Sequence, residues 1–296
     1  MRRVRVSVVI PTYNRRDLLP RAVESAAARI TGDDEIIVVD DGSTDGTADA
    51  IRNDSRVTLI ETENRGPAAA RNAAIEVATG RFLAFLDSDD AWYPTGLDEQ
   101  VEALDKDDSL GLSHAEAMNE VLPGAATTPR ARPTREGDVL ATLLRRNFVT
   151  TSTAVVPRRV LDQVGRFDES LDRSMDWDLW LRIAERYRFH FLRRTVALYR
   201  FHADQQIRDR ESVDDCRQRI LRKALARLEA RDDPLVPVTR RYLAYRLLRL
   251  GRQRLAAGKR DEAGESFRAA ADVRWTARFT AWRYRWTVSG GRPCAG

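Results

Sequence analysis

Short apolar runs of strand length alternate with amphipathic stretches through the first part of the chain. Val4–Ile10, Glu35–Asp40, Val57–Glu61 and Phe82–Asp87 read as strands, because a strand covered on both faces is continuously apolar. Between them the apolar spacing becomes helical. Arg16–Arg29 places Leu18, Leu19, Ala22, Val23 and Ala26 on one face, Thr44 to about Asn53 opens on Ser, Thr and Asp cap residues, and Pro67–Thr79 is Ala-rich and ends at Gly80. Strands alternating with helices predict an α/β fold with a mostly parallel sheet flanked by helices. After Asp90 the alternation loosens. A helix is expected over Thr95–Leu104, strands over Leu112–Met118 and Val149–Val156, and a helix over Asp176–Tyr187. A loop is expected over 121–138, with Pro123, Pro129 and Pro133. From about Asp214 the pattern is helical, with Pro234 and Pro237 as breaks and a hairpin over Leu243–Ala271 turning at Gly258.

Composition adds an asymmetry. The 296 residues, 43% hydrophobic, suffice for one large domain and an appendage. Residues 205–296 hold 22 Lys/Arg against 11 Asp/Glu, whereas residues 1–204 hold 28 against 34. A basic tail on an acidic body suits a phosphate-rich or anionic-membrane partner, or a solvated helical surface. Cys216 and Cys294 have no partners at metal-ligand spacing, so neither a zinc site nor a disulfide framework is expected. Met-Arg-Arg runs directly into a strand-length apolar segment, and no window approaches a membrane span. A cytoplasmic protein without a leader is expected.

The chemistry gathers where apolar runs stop. Phe82–Leu86 ends in Asp87, Ser88, Asp89 and Asp90, with no basic residue adjoining them in sequence. Ligands of open α/β sheets bind beyond the carboxyl ends of the strands. On an extended segment Asp87 and Asp89 would point the same way, placed to share a hard divalent cation with substrate phosphates. A salt-bridge cluster is the alternative. Pro11-Thr12-Tyr13-Asn14-Arg15 follows the first strand and Asp40–Thr47 the second. Both suit turns and caps, but Asp41 is also placed to accept hydrogen bonds from a base or ribose. Asp176 is either a helix cap or a general base. His202 is a ligand or phosphate contact only if its loop folds back over the metal.

In order, PTYNR, DDGSTDGT, ENRGPAAARN, GRFLAFLDSDDAW, GRFDESL, MDWDLWLR and YRFH resemble the motifs of the family 2 glycosyltransferases across roughly residues 5–204. The resemblance implies an inverting enzyme of GT-A fold, a nucleotide-diphosphate sugar donor (a UDP-sugar above all), and Mn²⁺ or Mg²⁺. It places Pro11, Tyr13 and Asp41 at the nucleobase, with Asn14, Arg15 and Arg71 also on the donor side. Asp87 and Asp89 form the DxD pair at ribose, diphosphate and metal, with Ser88 and Asp90 alongside. His202 becomes a late metal or diphosphate contact, Asp176 the catalytic base, and Trp177 and Asp178 part of the acceptor region. Met175 stands where the family commonly has Glu, which bears on acceptor handling and leaves donor binding untouched. The implied division is a catalytic domain over 1–207, with a donor half at 1–92 and an acceptor half at 93–207, and a basic helical region over 208–296.

The acceptor implied is a hydroxyl of a saccharide or lipid-linked saccharide, in polysaccharide, glycolipid or glycoprotein glycan assembly. Two alternatives are a sugar nucleotidyltransferase, which would open with a glycine-rich basic loop where PTYNR stands, and a non-catalytic sugar-nucleotide-binding protein, which would lack the acids. Trp275, Phe279, Trp282 and Trp286 recur at helical spacing among arginines. That stripe suits an interfacial helix on the inner face of an anionic membrane, or packing against the 243–271 hairpin. Nucleic acid is not expected, since no recognised module is present.

Overall fold

The computed structural model describes residues 6–30, 32–120, 128–129, 135–200 and 210–273. In chain order the elements are β1 (Val6–Thr12), α1 (Leu19–Ala27), β2 (Glu35–Asp40), β3 (Val57–Glu61), α2 (Pro67–Val77), β4 (Phe82–Phe85), β5 (Ala91–Trp92), α3 (Leu97–Lys106), β6 (Leu110–Glu120), β7 (Thr128–Pro129), α4 (Leu140–Arg145), β8 (Val155–Pro157), α5 (Arg158–Val164), α6 (Met175–Ala184), β9 (Arg188–Arg200), α7 (Arg210–Glu229), α8 (Val236–Ala256) and α9 (Arg260–Val273). Two compact units result. One comprises Met1–Leu143 with Asn147–Gln205, the other Leu144–Arg146 with Gln206–Gly296.

The first unit is α/β. Its sheet runs β3-β2-β1-β4-β8-β6-β9-β5, with β7 paired to β6. The β3-β2-β1-β4 half is parallel, as the alternation of strand and helix demands. Beyond β4 the sheet becomes mixed: β8 is antiparallel to β4 and β6, β9 parallel to β6, and β5 antiparallel to β9. One face buries Val8, Ile10, Ile36, Val38, Phe82 and Ala84 under α1 and α3. The alternate residues Val9, Ile37, Val39, Leu83 and Phe85 are as completely buried. There Phe85 meets the rings of Phe167 and Trp180 at 5.4 and 6.0 Å. Burial on both faces accounts for the continuous apolar runs.

Several expectations change. The helix over Thr44–Asn53 is replaced by a loop with a single 3₁₀ turn at Ala48–Ala50. Gly42 and Gly46 adopt φ of +79° and +84°, outside helical space, and the Ser, Thr and Asp side chains bond to neighbouring loops instead of capping a helix. The strand over Val149–Val156 is a 3₁₀ turn at Thr151–Thr153 followed by the short β8. The 13-residue β9 and helix α5 were not foreseen; β9 is broken by an arginine pair, Arg193-Arg194, that masks its alternation. Pro129 lies in β7, inside the expected 121–138 loop.

The second unit is helical. Helices α8 and α9 form the expected hairpin, with Gly258 at φ +79° in its turn and Phe267 buried against Gly251. Among the described residues no helix is long and apolar enough to cross a membrane.

Candidate active site

The carboxyl ends of β1, β2 and β4 carry the three motif loops, and side-chain hydrogen bonds lace the first two together. Asn14 N–H donates to Ser43 Oγ at 2.8 Å, Arg15 N–H to Thr47 Oγ1 at 2.8 Å, and Thr44 N–H to Asn14 Oδ1 at 2.9 Å. Asn14 holds φ of +51°, a conformation asparagine tolerates better than most residues. Tyr13 is left 44% exposed at the rim, an unusual position for a large ring and one that suits stacking on a base. Pro11 is buried within β1. Asp41 is buried too, and both its oxygens hold the protein's own loop: Oδ1 accepts Arg65 N–H and Oδ2 accepts Gly66 N–H, at 2.9 and 2.8 Å. Asp41 therefore shapes the entry to α2 before it can serve any ligand.

The acid run is a turn and not an extended strand. Asp90 N–H donates to Asp87 O, and one carboxylate oxygen from each of Asp87, Asp89 and Asp90 lies within 4.8 Å of the others. Asp87 and Asp89 are half-buried, while Ser88 and Asp90 point inward. The Ser88 side chain, expected beside the donor, is buried. Asp90 accepts from Ser152 Oγ at 2.5 Å and from Arg200 N–H at 3.1 Å. Burial raises the Asp90 carboxyl well above the usual range, with Asp89 and Asp87 adding to it. Burial likewise raises Asp87, against the pull of Arg71 and with further push from Asp89 and Asp176.

Arg71, expected on the donor side, reaches the acid turn. It is buried on α2, donating to Asp87 Oδ1 at 2.5 Å and to Pro67 O at 3.2 Å, with its guanidinium 5.5 Å from the Phe167 ring. The three carboxylates offer hard oxygens at a spacing that fits a divalent cation, and a cation there would favour their ionised forms. Asp89 and Asp87 are the accessible members of the set.

Asp176 enters from α6, at whose start Ser174 adopts φ of +54°. Its Oδ2 accepts Asn147 Nδ2–H at 2.7 Å and Thr151 Oγ1–H at 3.2 Å. It lies close enough to Asp87 to perturb that carboxyl. Trp177 and Asp178 do not belong to an open acceptor surface. Trp177 is buried and donates Nε1–H to Leu143 O, and buried Asp178 is ion-paired with Arg182 at 2.9 Å. Helical geometry turns residues adjacent to Asp176 away from its direction. His202, Trp275, Phe279, Trp282 and Trp286 lie outside the described residues.

Asn147, Thr151 and Ser152 were not foreseen. For Thr151 and Ser152 the signal was the polar run Thr150–Thr153 inside an expected buried strand, where hydroxyls must find partners; Asn147 carried none.

The profile of Glycosyl transferase family 2 matches residues 7–165. An uncharacterized glycosyltransferase of Rickettsia prowazekii is 29% identical over 208 residues, 68% of this chain and 65% of its own length. The Escherichia coli UDP-Glc:alpha-D-GlcNAc-diphosphoundecaprenol beta-1,3-glucosyltransferase WfaP is 43% identical over 103 residues, 34% of this chain and 41% of its own length. The crystal structure of Staphylococcus aureus TarS 1-349 in complex with UDP-GlcNAc superposes with a TM-score of 0.69 at 18% identity, covering 96% of this chain and 90% of that one. Parallel β3-β2-β1-β4 topology, motif loops at its carboxyl ends and a profile match over more than half the chain agree on the GT-A fold, and the chain belongs to glycosyl transferase family 2.

Proposed function

We propose that this chain is an inverting, metal-dependent glycosyltransferase that moves a sugar from a nucleotide-diphosphate sugar to an acceptor hydroxyl. The observation that carries the reading is the convergence of Asp176 with the Asp87–Asp90 turn beyond the strand ends. The TarS complex with UDP-GlcNAc and the name of WfaP favour a UDP-sugar. The same name favours a lipid-linked saccharide acceptor.

In this reading Tyr13 stacks on the base, and the 12–16 and 40–47 loops hold the nucleoside. Asp89 and Asp87 would hold Mn²⁺ or Mg²⁺. The cation, when bound, offsets negative charge growing on the leaving diphosphate. Arg71 orients Asp87 and opposes the effect of burial on its carboxyl. Asp176 takes the acceptor proton at the face of the sugar opposite the leaving group, and one displacement inverts the anomeric centre. The Arg- and Trp-rich residues 274–296 would hold the enzyme to an anionic membrane surface beside a lipid-linked acceptor.

Two variants test the site. Asp89→Ala should abolish transfer and Mn²⁺-dependent UDP binding while the thermal melt stays cooperative. Asp176→Asn should bind Mn²⁺–UDP normally with turnover down by about two to four orders of magnitude. Unchanged Mn²⁺-dependent affinity in the first variant, or a loss of under about tenfold in the second, would overturn these assignments.

A further inference from the structure

Thr151 and Ser152 are consecutive in the chain, yet their hydroxyls serve opposite halves of the site. Thr151 Oγ1 donates to Asp176 Oδ2. Ser152 Oγ donates to Asp90 Oδ2 and accepts Asp87 N–H at 3.2 Å. Asp176 stands on α6 and the acid turn follows β4, so elements distant in sequence meet on one peptide unit. Consecutive Cα atoms are held about 3.8 Å apart by covalent geometry, which no packing adjustment alters.

That peptide unit is itself anchored. Ser152 is fully buried, and its carbonyl accepts Trp92 Nε1–H at 2.6 Å. Thr153 Oγ1 closes the 3₁₀ turn on Thr150 O at 2.8 Å, and Gln100 Nε2–H reaches Thr153 O at 2.9 Å. Ala154 O accepts Phe85 N–H, and Val155 then pairs with Ala84 of β4. At the other end Asn147 adds a second donor to Asp176 Oδ2 while its Oδ1 accepts Val149 N–H at 3.1 Å. Both donors fall on Oδ2, and among the described residues none falls on Oδ1. An oxygen with no competing donor is the one open to an incoming hydroxyl.

We infer that the segment 147–153 sets the separation between Asp176 and the acid turn, with Asn147 and Thr151 positioning the base and Ser152 positioning the donor-side turn. The inference rests on the proposed roles of Asp176 and the Asp87–Asp90 turn. It goes beyond them in assigning adjacent residues separable effects on turnover and on donor affinity. A segment that merely packed would move both together, in step with stability.

The experiment compares Asn147→Ala, Thr151→Val, Thr151→Ser, Ser152→Ala and Asp176→Asn in the full chain. Mn²⁺–UDP affinity is read by calorimetry, and turnover of the UDP-sugar the wild type uses fastest is read with its acceptor or with water. Asn147→Ala and Thr151→Val should lower kcat by about tenfold and leave Mn²⁺–UDP affinity unchanged, the scale seen when an outer-shell partner is removed. Thr151→Ser, which keeps the hydroxyl, should restore kcat. Ser152→Ala should weaken Mn²⁺–UDP binding by about tenfold, with Ser152→Cys taking its place if the alanine variant does not fold. Affinity and kcat falling together with Tm in all variants overturns the inference, as does wild-type behaviour throughout while Asp176→Asn is inactive. A wild type that binds no nucleotide, or an Asp176→Asn variant at full turnover, overturns the active-site reading and the inference with it.

Discussion

The guanidinium of Arg71 sits behind Asp87, with Nη2 2.5 Å from Oδ1, and supplies the cation that the acid run lacks in sequence. Sixteen residues separate the pair, and the arginine side chain is 8% exposed against 29% for the aspartate. Desolvation makes such a pair costly to break from one side, because the remaining charge stays buried. Arg71→Met should therefore lower stability by on the order of 3 kcal/mol, read by urea unfolding. Arg71→Lys should recover only part of it, since a single ammonium cannot reach Asp87 and Pro67 O in the same fork geometry. Full recovery by lysine would show that charge alone matters here.

Gly42 controls how the loop after β2 meets the loop before α2. It holds φ of +79°, and a Cβ there would lie 2.9 Å from the Asn64 backbone nitrogen. Gly42→Ala should cost about 1–3 kcal/mol through backbone strain and the displaced neighbour. It should also weaken UDP binding, because Asp41 holds Arg65 and Gly66 in the same loop. Thermal melts and calorimetry on one preparation separate the two effects. A variant with wild-type Tm would show that the loops move apart freely.

His114 predicts acid sensitivity. It is buried on β6 among Phe148, Phe189 and Phe191, with Nε2 2.9 Å from Arg135 O. Burial lowers its pKa to about 4 from an ordinary value of 6.5. The unfolded chain thus takes up a proton that the folded chain refuses, so stability present above pH 6.5 is lost as pH falls toward 4. The loss from this residue amounts to about 3 kcal/mol. His114→Gln keeps a donor for Arg135 O without a titrating ring, and should flatten the unfolding free energy between pH 7 and pH 4.5. An equally steep decline in the variant would assign the sensitivity to other groups.

In the helical unit, fully buried Asp214 of α7 accepts from Arg249 Nε and Gln253 Nε2 of α8, at 3.0 and 2.9 Å, with Arg246 at 3.4 Å. One carboxylate of α7 thus gathers two arginines of α8. Asp214→Asn leaves those cations facing one another and should destabilise this unit by on the order of 3 kcal/mol. Circular dichroism would read this as a lower-temperature loss of helix. A melt indistinguishable from wild type would mean that water replaces the carboxylate.

What the sequence by itself determined was the frame of parallel strands and the motif loops at their ends. Apolar runs of strand length ended in Asp40-Asp41 and Asp87–Asp90, and two-sided burial with ligands beyond strand ends follows from local pattern. The strand Glu35–Asp40 and the hairpin about Gly258 were legible because each is set by periodicity and turn chemistry within a few residues. Only the tertiary structure decided which polar residues were already committed. Asp41 holds Arg65 and Gly66, Arg71 is spent on Asp87, and Asp90 is taken by Ser152 and Arg200. It also turned Thr151 and Ser152 from expected strand residues into a 3₁₀ turn facing two acids at once. Hydrogen-bond partners 16 to 110 residues apart leave no periodic trace, because a buried polar group needs only a partner in space, and any fold that supplies one satisfies it.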